Sequence, residues 1–266
     1  MRHTKLSARA MVEVLEERRL LAANAVLDGN ELVITGTASD DRIFLSLAAT
    51  NSTQLDVKIN NKVTSFDLAA IREIKIYGLA GNDHVELFET NGVIPKQTRM
   101  FGGGGADTLV GGAGIDRVHG DDGNDLITTA GNRDHLYGDG GDDSLFGGKG
   151  NDSLDGGDHD DYCEGNRGDD SILGGNGADD ILGLDGDDSI DGGTGDDDCR
   201  GGAGHDHNHG GTGNDDFDDD ANDINDDHGA DDDGNSGHGA DDGPNHDVGD
   251  DHGGNDAAAV PLAELK

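Results

Sequence analysis

The sequence has little of what an ordinary globular core requires. It contains no tryptophan, and only 3% of its 266 residues are aromatic and 32% hydrophobic. A layered domain needs more apolar side chain than this to cover its sheets or helices over the whole length. The composition therefore excludes a conventional core along the full chain.

Recognisable catalytic and membrane motifs are also missing. The sequence contains no HExxH zinc-protease motif, no GxSxG nucleophile elbow, no GxxxxGK phosphate loop and no transmembrane segment. Its glycine-rich stretches open no predicted helix and lie among acidic residues, which argues against phosphate binding. We therefore predict that the chain is not an enzyme. The enzymatic alternative is a small glycan-modifying protein with its site in residues 25–101.

Basic residues are scarce, and the negative charge is unevenly placed. The chain has 58 acidic and 18 basic residues, a formal net charge of −40. Residues 1–101 carry −1, residues 102–218 carry −25 and residues 219–266 carry −14. Such charge repels nucleic acid and anionic membranes, so we expect neither as a partner. An acidic decoy that binds basic proteins is an alternative that needs only this charge.

A nine-residue repeat fills residues 102–218 without a gap. The thirteen nonapeptides begin with GGGGADTLV, GGAGIDRVH and GDDGNDLIT. Position 6 is Asp in all thirteen, position 1 is Gly in twelve, position 4 is Gly in eleven, and position 8 is apolar in twelve if cysteine is counted. The exceptions are Thr129 at position 1, Asn132 and His159 at position 4, and Asn208 at position 8. A flexible Gly/Asp spacer, the alternative interpretation, would not keep an apolar position in phase.

Each repeated position has a physical explanation. Glycine at positions 1 and 4 is expected to adopt φ > 0 and to leave carbonyls facing inward. Aspartate at position 6 adds a hard anionic oxygen of the kind that Ca²⁺ prefers. Positions 7 to 9 are expected to form a three-residue strand whose middle side chain points inward. Two turns and two strands then make an eighteen-residue coil, in which turn n stacks on turn n+2.

This pattern resembles the RTX, or hemolysin-type, calcium-binding nonapeptide repeat GGxGxDxUx. The resemblance implies an all-β fold, a right-handed parallel β-roll with Ca²⁺ along both edges. It also implies that the ligands are position-6 carboxylates and backbone carbonyls of positions 1 to 5. The predicted metal ligands in the repeats are Asp107, Asp116, Asp125, Asp134, Asp143, Asp152, Asp161, Asp170, Asp179, Asp188, Asp197, Asp206 and Asp215.

Residues 25–101 have a more apolar, alternating pattern. It predicts strands in ELVITG, DRIFLSL, QLDVKIN and EIKIYG. Two isolated repeat-like turns, GTASDDRIF and GLAGNDHVE, place Asp41 and Asp83 at position 6, and we predict both as metal ligands. We expect this segment to cap the roll, because an open solenoid end exposes strand edges. A separate small β-domain is the alternative.

The C-terminal segment, residues 219–266, keeps Asp and Gly but loses the apolar position. We predict a degenerate or disordered acidic tail there, because little in it can pack inside a coil. Histidines cluster toward this end, at His205, His207, His209, His228, His238, His246 and His252. Their spacing fits no compact Zn²⁺ or Ni²⁺ site, so polar filler is the favoured interpretation.

The N-terminal segment, residues 1–24, contains a short stretch that resembles a known export motif. LEERRLLAA, residues 15–23, is similar to the LEPRxLL motif at the start of many bacterial surface and secreted proteins, with Glu17 in place of the proline. That resemblance implies export. An ordinary amphipathic helix is the alternative.

The two cysteines occupy position 8 in their repeats. Cys163 and Cys199 are 36 residues apart, which is two coils. Two strand spacings of about 4.8 Å separate them by roughly 9.6 Å, whereas a disulfide needs Cα atoms within about 7 Å. We therefore expect two free, buried thiols.

These patterns together predict a secreted or cell-surface calcium-binding repeat protein. We expect it to stay unfolded inside the cell and to fold on binding Ca²⁺ outside, with a structural or adhesive role. A cell-surface or matrix component is the expected partner. The alternative is a non-catalytic secretion or stability module of an extracellular enzyme.

Overall fold

The computed structural model describes residues 23–218 and 224–226. Within them the chain forms twenty-two strands and one 3-10 helix, Leu68–Ala70. The strands are β1 (Asn24–Asp28), β2 (Glu31–Thr35), β3 (Arg42–Ala48), β4 (Asn51–Ile59), β5 (Lys62–Asp67), β6 (Glu73–Ala80), β7 (His84–Phe88), β8 (Gln97–Gly104), β9 (Thr108–Val110), β10 (Asp116–Asp122), β11 (Leu126–Thr128), β12 (His135–Gly140), β13 (Ser144–Lys149), β14 (Ser153–Asp158), β15 (Tyr162–Arg167), β16 (Ser171–Asn176), β17 (Asp180–Asp185), β18 (Ser189–Thr194), β19 (Asp198–Ala203), β20 (His207–Thr212), β21 (Asp216–Asp218) and β22 (Ile224–Asp226).

The strands form two sheets of eleven strands each. Sheet A has the order β1-β2-β6-β8-β10-β12-β14-β16-β18-β20-β22, and sheet B has the order β21-β19-β17-β15-β13-β11-β9-β7-β3-β4-β5. From β6 onward, successive strands alternate between the sheets and pair in parallel. The chain is therefore a parallel β-solenoid, which confirms the predicted β-roll.

A coil of the repeat region contains eighteen residues. In sheet A, Leu154 pairs with Ile172, and Ile172 pairs with Ile190. Insertions lengthen the first coils, since Ile76 pairs with Met100 across a longer interval. The nine-residue period therefore gives half a coil, as the sequence predicts.

The strands are longer than the repeat predicts. Most cover six residues, positions 7 to 9 of one nonapeptide and positions 1 to 3 of the next, as in Ser144–Lys149. The ladder omits position 1 and resumes at position 2: after Tyr137 pairs with Asp155, the next pair is Asp139 with Gly157. Only positions 4 to 6 remain for the turn. The predicted three-residue strand was wrong for most coils, because the glycine-rich positions also join the ladder.

Position 8 lines the interior of the solenoid. Its buried apolar residues are Leu109, Val118, Ile127, Leu136, Leu145, Leu154, Cys163, Ile172, Ile181, Ile190 and Cys199. Cys163 and Cys199 are free and buried, and Ile181 lies between them in the sheet B ladder. The predicted free thiols are therefore present, and the polar exception Asn208 is buried in the same line.

Residues 24–101 continue the same two sheets. Strands β2 and β6 add to sheet A, and β3 and β7 add to sheet B, all in parallel with their solenoid neighbours. Antiparallel strands then extend the sheets: β1 pairs with β2, while β4 and β5 follow β3. A strand cap therefore covers the first coils, and β8 (Gln97–Gly104) runs across its junction with the repeats.

An aromatic stack on the outer face of sheet A crosses the same junction. Tyr77 stacks on Phe101 at 5.1 Å between ring centroids, Phe101 on His119 at 5.3 Å, and His119 on Tyr137 at 4.4 Å. These rings occupy successive coils at one register position, so the stack joins the cap to the repeats. Among the described residues, no helix is long and apolar enough to cross a membrane.

Two predicted features lie largely outside the described residues. The export-like motif precedes β1, with only its last residue described. Of the predicted disordered tail, only β22 is described, and it pairs with β20 in sheet A.

Candidate metal sites

The position-6 aspartates form two columns, one along each edge of the solenoid. Column A contains Asp116, Asp134, Asp152, Asp170, Asp188 and Asp206, and column B contains Asp41, Asp83, Asp107, Asp125, Asp143, Asp161, Asp179, Asp197 and Asp215. In each column the backbone N–H of one aspartate donates to Oδ1 of the next, at 2.6–3.0 Å. All fifteen predicted ligand positions therefore belong to one of two continuous ladders.

The column aspartates are buried although they are acidic, with no more than 3% of any one exposed. Oδ1 accepts the ladder hydrogen bond in every member except the first of each column, Asp116 and Asp41. Oδ2 has no hydrogen-bond partner at Asp83, Asp107, Asp125, Asp134, Asp143, Asp152, Asp161, Asp170, Asp179, Asp188 and Asp197. Leaving a buried acceptor unpaired costs about 1–3 kcal/mol, and more for a charged one. A repeated cost of this kind indicates that the fold includes a ligand for this oxygen.

A glycine and a carbonyl complete the surroundings of each such oxygen. A Cβ added to Gly147 would lie 2.8 Å from Oδ2 of Asp152 and 3.0 Å from the carbonyl oxygen of Gly165 in the next coil. We call this arrangement a cradle: the backbone of a position-1 residue, Oδ2 of position 6, and the position-1 carbonyl of the next coil. It recurs at Gly102, Gly120, Gly138, Gly156, Gly174, Gly183 and Gly192.

The prediction that the position-1 glycines adopt φ > 0 was wrong. Left-handed φ values occur at positions 2 and 4, each in eleven of the thirteen nonapeptides, and at no position 1. Asn132 and His159 keep this conformation where position 4 is not glycine, at φ 79° and 84°. Position 1 needs glycine because a Cβ has no room, whereas position 4 needs it for the turn.

Burial raises the pKa of the column aspartates. Desolvation is the main cause, and it raises the pKa to about 6 at Asp107, about 7 at Asp170 and about 8 at Asp161. The hydrogen bond from the preceding aspartate's N–H acts in the opposite direction at each of them. A cation in the cradle would favour the ionised carboxylates and offset this desolvation.

The oxygens of the cradle fit a calcium ion. A carboxylate and backbone carbonyls are hard ligands, which Ca²⁺ takes in numbers of six to eight from flexible loops. In residues 23–218 and 224–226, no group of three or more Asp, Glu, His or Cys side chains is placed to hold a metal. A cradle does not need such a group, because most of its oxygens belong to the backbone.

Asp41 differs from the rest of column B. Its Oδ2 accepts hydrogen bonds from the backbone N–H of Thr37 at 2.5 Å and from the Thr37 hydroxyl at 2.8 Å. Its Oδ1 accepts from the side-chain amide of Asn60 at 2.5 Å. The structure therefore places Asp41 in register but gives both of its oxygens protein donors.

A second ladder, which the repeat pattern did not reveal, runs through position 5. There the side chain of one coil accepts a hydrogen bond from the backbone N–H of the next, as from Ala178 to Asp160 at 2.9 Å and from Asn214 to Asp196 at 3.0 Å. The sequence carries a weak signal of it, since position 5 is Asp or Asn in eight of the thirteen nonapeptides. These exposed Asp and Asn side chains hold the turns in register.

The histidines of the described region do not converge. His209 pairs through Nδ1 with Asp191 at 3.1 Å on the outer face, while the backbone N–H of His205 donates to Asp187 at 3.0 Å in the position-5 ladder. The histidines from His228 onward lie outside the described residues. For the described ones, the structure supports the interpretation as polar surface residues.

The family comparison covers the region that contains most of these cradles. A model described as the RTX calcium-binding nonapeptide repeat, in four copies, matches residues 101–136, 137–172 and 173–207. Each match corresponds to about four nonapeptides, or two coils. No curated protein matches the chain.

Proposed function

We propose that the chain is an exported structural protein whose folding depends on Ca²⁺. The starting point is the match of residues 101–207 to the RTX calcium-binding nonapeptide repeat. The observation that carries the proposal is the pair of aspartate columns. Each column buries carboxylates whose Oδ2 has no hydrogen-bond partner and faces the backbone of its cradle. Such a structure is poorly stable without cations, because the repeated unpaired acceptors carry a repeated cost.

We assign the calcium sites to ten cradles. The carboxylates concerned are Asp83, Asp107, Asp125, Asp143, Asp161, Asp179 and Asp197 in column B and Asp152, Asp170 and Asp188 in column A. Asp41 is left out because both of its oxygens have protein donors. Asp116 is left out because its Oδ2 accepts from Gly112, and Asp134 because position 1 of its nonapeptide is Thr129 and not glycine. The coils that would follow Asp206 and Asp215 begin outside the described residues. Bound Ca²⁺ would supply the positive charge that each cradle lacks.

The export part of the proposal rests on calcium supply. Extracellular calcium modules commonly bind with Kd of about 10⁻⁴–10⁻³ M. A fold that needs many such sites at once would remain unfolded where calcium is scarce and fold where it is plentiful. At calcium ten times Kd, each site adds roughly 1.4 kcal/mol, so ten sites would add about 14 kcal/mol, the stability of a typical domain. A structural or adhesive role suits a repeated acidic surface that binds a matrix or cell-surface component.

Circular dichroism of the full chain tests the dependence on calcium. We expect a disordered spectrum in EDTA and a cooperative gain of β-structure as Ca²⁺ is added. Mg²⁺ should not replace Ca²⁺, because it requires a smaller octahedral shell and gives up water reluctantly. Equal β-structure with and without chelator would contradict the proposal. Export is tested separately, by comparing full-length protein with a variant lacking residues 1–24 in the medium of expressing cells.

A further inference from the structure

Thr129 is the only residue other than glycine at position 1 of the thirteen nonapeptides. It lies beside column A, near the end of the column that is next to the cap, and only 3% of its surface is exposed. Its hydroxyl donates to the carbonyl oxygen of Gly147 at 2.7 Å. At Gly147 and the seven position-1 glycines that share its arrangement, the corresponding carbonyl faces the cradle. The Thr129 side chain therefore occupies the cradle of its own aspartate, Asp134, and bonds to the carbonyl there.

The methyl group of Thr129 closes a second cradle. A Cβ added to Gly111, in the preceding coil, would lie 2.9 Å from Cγ2 of Thr129 and 2.6 Å from Oδ2 of Asp116. At Gly147 and the seven glycines like it, a next-coil carbonyl oxygen, not a methyl, occupies this place. Oδ2 of Asp116 also accepts a hydrogen bond from the backbone N–H of Gly112 at 3.0 Å, so that this oxygen already has a protein donor. This cradle thus has a carbon atom where the others have an oxygen.

We propose that Thr129 keeps calcium out of the first two cradles of column A, those of Asp116 and Asp134, so that this edge of the solenoid binds three ions instead of five. The hydroxyl satisfies the Gly147 carbonyl without a cation, and the methyl fills the neighbouring space. Column A therefore begins to bind calcium only at Asp152, whereas column B binds from Asp83 onward. This inference rests on the proposed calcium function.

A graded series at Thr129 separates the two effects. Thr129→Ser removes only the methyl and should add one bound calcium, at Asp116. Thr129→Gly removes the hydroxyl as well and should add two. Thr129→Val keeps the carbon atoms and should add none. Bound calcium per chain is measured by equilibrium dialysis with elemental analysis of the full-length protein at saturating Ca²⁺.

Two further variants provide controls. Thr194→Gly makes the same chemical change at exposed position 3, where the hydroxyl donates to Asn176 at 2.9 Å, and it should leave the count unchanged. Gly165→Thr recreates the Thr129 arrangement lower in column A and should remove two ions, from Asp152 and Asp170. If that variant does not fold, the Ser, Gly and Val series at Thr129 still decides the matter.

The outcomes separate this inference from the proposed function. A wild-type chain that binds no calcium would overturn both. If the wild-type chain binds calcium and the Ser and Gly variants bind the same number of ions as wild type, only the role of Thr129 is overturned. A gain of calcium in the Val variant would also overturn it. Gains of one and two ions in the Ser and Gly variants, with no gain in the Val variant, are the expected result.

Discussion

At the scale of single residues, the length of the aspartate side chain explains why all fifteen column positions are Asp, in a chain with 49 Asp and only 9 Glu. Oδ1 of Asp170 accepts a hydrogen bond from the backbone N–H of Asp152 at 2.7 Å, while Oδ2 faces the cradle. A glutamate would place its carboxylate one methylene farther out and could not serve both contacts from the same backbone. One ladder hydrogen bond and one short contact with the cradle therefore select the shorter acid.

Asp170→Asn should weaken calcium-induced folding, and Asp191→Asn should not. The first variant keeps the Oδ1 acceptor of the ladder but removes the negative charge from a cradle. The second removes the same charge from an exposed side chain that pairs with His209 at 3.1 Å. Loss of one site removes roughly 1.4 kcal/mol of stabilisation at calcium ten times Kd. Calcium titration followed by circular dichroism compares the midpoints, and equal shifts would mean that the acids act only as diffuse charge.

At the scale of strands and turns, the solenoid depends on backbone conformations that most residues avoid. Left-handed φ at position 2 bends the chain within the ladder, and left-handed φ at position 4 opens the three-residue turn. Position-4 glycines also stack closely: a Cβ on Gly168, whose φ is +125°, would collide with the carbonyl oxygen of Gly150. The turn therefore favours glycine for both conformation and space, and only Asn132 and His159 replace it at position 4.

Gly168→Ala should destabilise the calcium-loaded protein by about 1–3 kcal/mol, because its left-handed φ and the Gly150 carbonyl both oppose a Cβ. Gly140→Ala is the matched control. Gly140 has no left-handed φ, and its added Cβ would meet only the Asp121 carbonyl oxygen, at 3.9 Å. That variant should be stabilised by about 0.4–1 kcal/mol through the unfolded state. Urea unfolding in saturating calcium measures both, and a similar loss in both variants would contradict the distinction.

At the scale of the whole molecule, the aspartate columns make the metal-free fold sensitive to pH. Burial raises the pKa of Asp107 to about 6 and that of Asp161 to about 8, against about 3.9 in an unfolded chain. The folded state therefore binds more protons than the unfolded state between about pH 4 and pH 8. The stability that this proton binding gives to the metal-free folded state is fully present below about pH 4 and is lost as pH rises through 6 to 8.

We expect the chain in EDTA to gain β-structure when the pH is lowered from 8 to 5, since protons then neutralise the carboxylates as calcium would. Calcium affinity should fall over the same range, because both compete for the same oxygens. Circular dichroism in EDTA across this range tests the first expectation, and calcium titrations at both ends test the second. A calcium-free spectrum that stays disordered down to pH 5 would contradict the first.

The sequence by itself determined the repeat, the eighteen-residue coil, the inward position 8 and the aspartates of both columns. These features follow from the period and from residue chemistry, because a nine-residue period brings the same position of every repeat to the same place in each half-coil. It also placed Asp83 in a column correctly, since GLAGNDHVE keeps the spacing of the repeat.

Only the tertiary structure decided which glycine does what and which cradles are open. Position 1 needs glycine because of Oδ2 and a carbonyl from another coil, a contact that no local pattern contains. The same holds for Thr129, whose hydroxyl finds its partner eighteen residues away, and for Asp41, whose Oδ1 is bonded by Asn60. Stacking of coils brings these groups together, so their roles depend on the distances between coils and not on the repeat alone.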